Sequence, residues 1–269
     1  MNVPDIFGII AGNGIYPGLL AAAARKAGVE KIAAAAFTGE TDPVLQEYVD
    51  VIEWMRVGQL GRLLNFFRRQ DVHHAIMAGQ IAPRNLFDLR PDLKALMLMG
   101  KLKHRNAESI FAAIADELAK IDVDLLPATT FIEDSLAPAG LIAGRKLSRR
   151  EEEDVDLGWR IAKEIARLHI GQTVVVKNGT VLATEALEGT NETIRRGGML
   201  ARENAVMVKV AKANQDMRFD VPVIGVETVR VAAESRLRVI AVEAEKTLLL
   251  ERDAITALAD CSSISILAR

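Results

Sequence analysis

The sequence contains a single cysteine, Cys261, so no disulfide can form within the chain and no cysteine-only zinc site can be built. A reducing compartment is the simplest setting for that usage, and with no base near it Cys261 is expected to be a buried, inert thiol. Histidines number only four. His73 and His74 are adjacent, which turns strand neighbours to opposite faces, and His104 and His169 have no partner at ligand spacing. Aromatic residues make up 4% of the chain, poor material for stacking bases. Neither sign of charge dominates: 34 basic residues face 36 acidic ones, a net charge of −2, which excludes nucleic-acid binding through bulk positive charge. Long apolar runs are missing too. Ala33–Phe37 and Ala95–Met99 fall far short of the ~20 residues that span a bilayer. Ile6–Ala11 is cut off by glycine and has no basic stretch before it, unlike a secretory signal. Ser262-Ser263 has no nucleophile-elbow context, which removes a serine hydrolase. The expectation is a soluble cytoplasmic protein with no nucleic-acid partner.

What is present is a chain of 269 residues, half of them hydrophobic, long enough for about two domains. Its first half alternates short apolar runs with amphipathic stretches. Strands are predicted at Ile6–Ala11, Lys31–Phe37, Val51–Met55 and His74–Ala78. Helices are predicted at Leu19–Lys26, Leu60–Gln70, Leu93–Leu102 and Glu108–Lys120. That alternation implies a parallel sheet covered on both faces, a Rossmann-like domain over residues 1–133. Residues 134–150, with Pro138, Gly140 and Gly144, read as a linker. Residues 151–269 read as a second α/β domain, mostly β, with helices at Glu151–Leu168, from about Asn191 and around Glu227–Leu237. Asn178-Gly179 between two β-rich runs is the strongest hairpin signal in the chain.

Four segments offer chemistry. Gly12-Asn13-Gly14 follows a buried strand and precedes a helix, where backbone amides and the helix dipole hold phosphate; a plain tight turn explains it equally well. A full dinucleotide fingerprint fails because Pro17 stands at the third glycine position. Gly79-Gln80 ends the fourth strand and is expected to open beside the first turn, since carboxyl ends of parallel strands face one crevice. Glu185 and Glu188, with Gly189 and Thr190, suit a metal or a phosphate. Glu185 also reads as the solvent-facing end of the hairpin and Thr190 as a helix cap, whereas the glycine beside Glu188 leaves room for a ligand. Last, Lys209, Lys212, Asp216, Arg218 and Asp220 combine anion binding with hard-cation binding in one loop, although Asp216 and Arg218 also suit a surface ion pair. Met97 and Met99 among leucines form a soft apolar strip that suits core packing and would also suit acyl chains.

The ordered set of motifs resembles one family. Gly8–Gly14 with Pro17, Ala78-Gly79-Gln80 with Pro83, Pro91-Asp92, Ile170-Gly171-Gln172, Glu185–Thr190 and Lys209–Pro222 are similar to the LpxI-type UDP-2,3-diacylglucosamine pyrophosphatases of lipid A biosynthesis. The sequence departs from that pattern at His104-Arg105-Asn106, where many members carry Gly-Asp-Asp, and at Ala213, commonly a proline.

The resemblance implies two domains with a cleft between them and Mg²⁺-dependent hydrolysis of a lipid-nucleotide to UMP and 2,3-diacylglucosamine 1-phosphate. It places the essential aspartate at Asp220; read together with the residues themselves, Asp220 and Glu188 are the expected metal ligands. Gly12, Asn13, Gly14, Gly79, Gln80, Gln172, Thr190, Lys209, Lys212 and Arg218 are the expected substrate contacts. At most peripheral contact with the inner membrane is expected, and a homo-oligomer is compatible with the sequence. The competing reading is a non-catalytic nucleotide or lipid carrier with the same two domains.

Overall fold

The computed structural model describes residues 3–81, 91–102, 107–213, 215–219 and 221–269. The chain divides into two compact units, one of Met1–Ile132 with Asp216–Asp220 and one of Glu133–Gln215 with Val221–Arg269.

In the first unit β1 (Ile6–Ala11), β2 (Lys31–Phe37), β3 (Val51–Met55), β4 (His74–Ala78) and β5 (Asp124–Leu125) form one sheet in the order β3-β2-β1-β4-β5. Every pairing in it is parallel. β1 and β2 are buried on both faces, which is why they read as unbroken apolar runs without alternation. Ala33–Ala36 are weak strand formers, yet β2 is held by a parallel neighbour on each side. α1 (Tyr16–Ala27) opens with Pro17 in its first turn and closes at Gly28, whose φ of 106° suits only glycine.

α2 (Leu60–Arg69) turns Leu63, Leu64, Phe66 and Phe67 inward, where they meet Val72 and Leu118 of α4 (Ala107–Ala119). Truncating the fully buried Phe67 to alanine would cost about 3–5 kcal/mol. α3 (Leu93–Lys101) is capped by Asp92, which accepts from the Ala95 amide at 2.9 Å. The second oxygen of Asp92 accepts from the Gly61 amide at 2.7 Å, fastening α3 to the start of α2.

Residues 216–219 also belong to this unit. The Ala128 amide donates to the Met217 carbonyl at 2.6 Å, and the Phe219 ring lies 5.6 Å from that of Phe111.

The second unit is built on a six-stranded sheet of β6 (Gly140–Ala143), β7 (Thr173–Lys177), β8 (Thr180–Thr184), β9 (Ala205–Lys209), β11 (Leu237–Val242) and β13 (Ser265–Ala268). Its order is β6-β13-β11-β9-β7-β8, with β9, β11 and β13 parallel and β6, β7 and β8 entering antiparallel pairings. β10 (Val223–Ile224) and β12 (Leu248–Leu249) make a separate parallel pair. α5 (Arg149–Arg167) covers one face of the large sheet through Val155, Ala162 and Ala166. α6 (Thr190–Ala201), α7 (Val226–Glu234) and α8 (Arg252–Cys261) cover the other through Ile194, Val229 and Ile255. The hairpin turn at Asn178-Gly179 takes φ of 49° and 72°. Both its amides donate to the Asp154 carboxylate, at 2.8 and 2.7 Å.

Three readings change. Residues 134–150 hold β6, an edge strand of the second sheet, and Ser148, which forms a reciprocal capping box with Glu151. The second unit is not mostly β, because four helices flank its sheet; α8 escaped the sequence reading since only Ile255 and Ala259 of it are buried. Cys261 is exposed on the last turn of α8, not buried.

Candidate functional site

In the first unit the two glycine turns lie side by side because β1 and β4 are neighbours. The Gly12 amide donates to the Ala78 carbonyl at 2.7 Å, and the Asn13 amide to the Gln80 carbonyl at 2.7 Å. A Cβ at Gly12 would stand 2.5 Å from the Gln80 carbonyl oxygen. One at Gly79, where φ is +91°, would stand 2.5 Å from the Asn13 carbonyl oxygen. Each glycine is therefore demanded by the other turn's backbone. The strand order reverses between these two strands, the place where open parallel sheets bind ligands. Among the described residues no side chain caps the first turn of α1, so its N–H groups, which Pro17 lacks, are left to an anion.

In the second unit a polar cluster forms where β9 ends beside the start of β7 and the end of β8. Lys209, only 4% exposed, donates through Nζ to Thr190 Oγ1 at 2.7 Å. The Thr190 hydroxyl lies 3.0 Å from Glu185 Oε1, which it donates to, and 3.4 Å from the Thr173 hydroxyl. Glu185 Oε2 accepts from the Gln172 amide at 3.2 Å. A buried cation and a buried carboxylate are thus joined through one hydroxyl. Gly171 has no room for a side chain: a Cβ there would meet the Glu185 carbonyl oxygen at 2.2 Å. Gln172 Oε1 and Gln215 Nε2 are buried without a hydrogen-bond partner among the described residues, leaving one acceptor and one donor for a polar ligand.

The loop after β9 is gripped at Ala211. The Ala211 amide donates to Glu243 Oε2 at 2.9 Å, and Lys163 Nζ donates to the Ala211 carbonyl at 2.9 Å. Lys163 and Lys246 both pair with Glu243. Burial alone would raise the Glu243 carboxyl, but hydrogen bonds from Lys163, Lys246 and the Ala211 amide outweigh it and hold the group below the usual carboxylate range. Farther along, the Lys212 amide donates to Gln215 Oε1 at 2.7 Å. Arg218 makes a forked pair with Asp216, with its Nη2 at 2.7 Å from Oδ2 and its Nε at 3.0 Å from Oδ1.

The two carboxylates of the Glu185–Thr190 segment exchange the roles expected of them. Glu185, read as the outer end of a hairpin, is 7% exposed at the centre of the cluster. Glu188 instead accepts from Arg196 at 2.6 Å and from the Ala186 amide at 3.2 Å. Burial opposes its ionisation, while its own amide and Arg196 more than offset that and keep it below the usual range. Thr190 is not a cap: Gly189 occupies that position and leaves the hydroxyl to Lys209 and Glu185. Glu185, between Thr184 and Ala186, gave no periodic signal as a strand end, so only its place in the motif marked it.

Asp220 lies outside the described residues, as do Pro83 and His104-Arg105-Asn106. Among the described residues no three His, Cys, Asp or Glu side chains converge on a metal position. Glu188 is engaged by Arg196, so the described side chains do not by themselves make a magnesium site.

Residues 7–135 match the LpxI N-terminal domain and residues 138–267 the LpxI C-terminal domain. The chain is also 30% identical to the UDP-2,3-diacylglucosamine pyrophosphatase LpxI of Caulobacter vibrioides over 273 aligned positions, covering 97% of this chain and 96% of that protein. Matched along both units and nearly end to end, this chain belongs to the LpxI family.

Proposed function

We propose that the chain hydrolyses the pyrophosphate bond of UDP-2,3-diacylglucosamine, releasing UMP and 2,3-diacylglucosamine 1-phosphate for lipid A biosynthesis. The observation that carries this reading is the match along 97% of the chain to a protein of that activity. The local chemistry supports it. Cleaving a pyrophosphate builds negative charge on oxygens around the attacked phosphorus, and fixed positive groups in a water-poor setting stabilise that charge. Lys209 is such a group: it is buried, and Thr190 holds its ammonium in one place. At the paired turns the Gly12, Asn13 and Gln80 amides donate to carbonyls across the turns, so the phosphate contact proposed there falls to the backbone at Gly14, whose Cβ position is open. Gln172 offers an acceptor with no partner among the described residues. Lys212 and Arg218 are proposed as further contacts, Arg218 after exchanging Asp216 for substrate.

Asp220 is proposed as the essential acid that orients the attacking water, with attack on the phosphorus attached to the sugar. Magnesium dependence belongs to the same proposal, although Glu188 would have to release Arg196 to take part. When bound, the ion would neutralise pyrophosphate oxygens, which with water supply most of its ligands. The setting is cytoplasmic. Among the described residues no helix is long and apolar enough to cross a membrane.

The test incubates the pure protein with UDP-2,3-diacylglucosamine, with Mg²⁺ or with chelator, and follows UMP and the lipid phosphate. Metal-dependent release of both products is expected. Tight binding without turnover would replace the hydrolase with a carrier. Neither binding nor turnover would remove the substrate.

A further inference from the structure

α3 carries an apolar stripe that its own unit does not cover. Leu93, Leu96 and Met97 are 68%, 53% and 56% exposed, and their spacing of three and four residues places them on one helical face. The opposite face holds the buried Ala95 and the half-buried Leu98, which packs on the core. A single exposed leucine needs no explanation, but three large apolar side chains side by side on a nine-residue helix mark a contact surface.

The surroundings of the stripe are cationic. Leu93 lines a hollow of about 610 Å³ together with Arg62, Arg69 and Lys94. A second hollow of about 260 Å³ is lined by Arg68, Lys94 and Lys120. The acids in these hollows are outnumbered. Glu53 is shared by Arg62 and Arg69, and Glu117 by Lys94 and Lys120. Asp92 spends both carboxylate oxygens on the amides of Gly61 and Ala95. Five cations against three engaged acids leave a positive excess here in a chain whose net charge is −2.

From this juxtaposition we propose that the α2–α3 face of the first unit docks on an anionic lipid bilayer. Leu93, Leu96 and Met97 enter the boundary between headgroups and acyl chains, while the arginines and lysines meet lipid phosphates. A second copy is a poorer occupant. A two-fold interface would set the patch against itself and bring the same cations face to face. The inference goes beyond the proposed hydrolysis and does not require it.

The test is co-sedimentation of the full chain with vesicles that contain no nucleotide substrate, either phosphatidylglycerol with phosphatidylethanolamine or phosphatidylcholine alone. Binding is expected to the anionic vesicles, to weaken with salt, and to be absent from phosphatidylcholine. A Leu96→Ser/Met97→Ser double variant and an Arg68→Glu variant should each lower partitioning by roughly tenfold or more. Thermal melting checks that both remain folded, and hydrolysis of substrate dispersed in detergent reports separately on the active site. No sedimentation, equal binding to neutral vesicles, or variants that bind like the parent would overturn the proposal. So would self-association abolished by the double variant without any vesicle binding, which would make a second copy the occupant. Lost hydrolysis in detergent with unchanged vesicle binding would assign the stripe to acyl chains instead.

Discussion

The ammonium of Lys209 reaches the hydroxyl of Thr190 across 2.7 Å, although one residue ends β9 and the other opens α6. The hydroxyl passes the contact on to Glu185, so the two buried charges share one oxygen. Thr190→Val should leave each of them short of a partner and cost about 1–3 kcal/mol of stability. It should also lower kcat by roughly tenfold to a hundredfold, because the cation is no longer held in place. Thr190→Ser, which keeps the oxygen, should recover most of both. Melting curves and steady-state kinetics on the three proteins decide it; equal kcat values would separate the cluster from catalysis.

A second prediction concerns the grip on Ala211. Lys163→Met leaves Glu243 with Lys246 and one amide, and should cost roughly 1–3 kcal/mol. Because Ala211 lies between Lys209 and Lys212, the variant should also lower kcat/KM, and Lys163→Arg should restore part of it. The carboxyl of Glu243 is depressed in the folded chain, so its stabilisation exists above the ordinary carboxylate pKa. It is lost as pH falls through the lowered folded value.

Gly79→Ala tests the paired turns. At φ +91° the new methyl would stand 2.5 Å from a backbone oxygen that cannot swing aside. A loss of at least about 2 kcal/mol is expected. Gly14→Ala is the control, since its φ is equally positive but its Cβ position is open. It should cost nearer 1 kcal/mol. Denaturant midpoints for the pair measure the difference, which would vanish if the turns did not abut.

Glu117 supplies a pH test. Hydrogen bonds from Lys120 and Lys94 bring its carboxyl from 4.5 down to about 2. A depressed acid stabilises the fold above its unfolded pKa, and that stabilisation drains away as pH falls from about 4.5 towards about 2. The difference in melting temperature between the parent and Glu117→Gln should therefore be constant near neutrality and shrink across that window. A difference independent of pH would mean that the two lysines do not hold the ionised form.

Asp220→Ala is expected to abolish hydrolysis while leaving the melting temperature within a few degrees of the parent. Products counted by phosphate release, beside a melting curve, settle whether that acid is essential. Near-normal turnover in the folded variant would remove its proposed role.

The elements legible from sequence were those whose burial is simple. β1, β2 and β4 keep the bounds predicted for them because parallel strands covered on both faces appear as uninterrupted apolar runs. The Asn178-Gly179 turn was legible because two successive positive φ angles leave few residues to choose from. β5 and β10 were not, since two-residue strands carry no period. Within the site, Lys209 and Thr190 were identifiable as polar groups at element ends. Their joining was not, because it depends on β9 and β7 being antiparallel neighbours. Glu188 drew attention from the glycine beside it, but an arginine two turns on in α6 claims it.

The short strip at Met217 and Phe219 sets the order in which the protein can mature on the ribosome. The first unit lacks the ring that meets Phe111 and the acceptor of the Ala128 amide until that strip has been synthesised, by which time the residues of β6 to β9 have been made, although β6 still awaits β13. The two units are thus interleaved along the chain, and a cut after Ile132 would release an amino-terminal piece without the Met217 and Phe219 contacts.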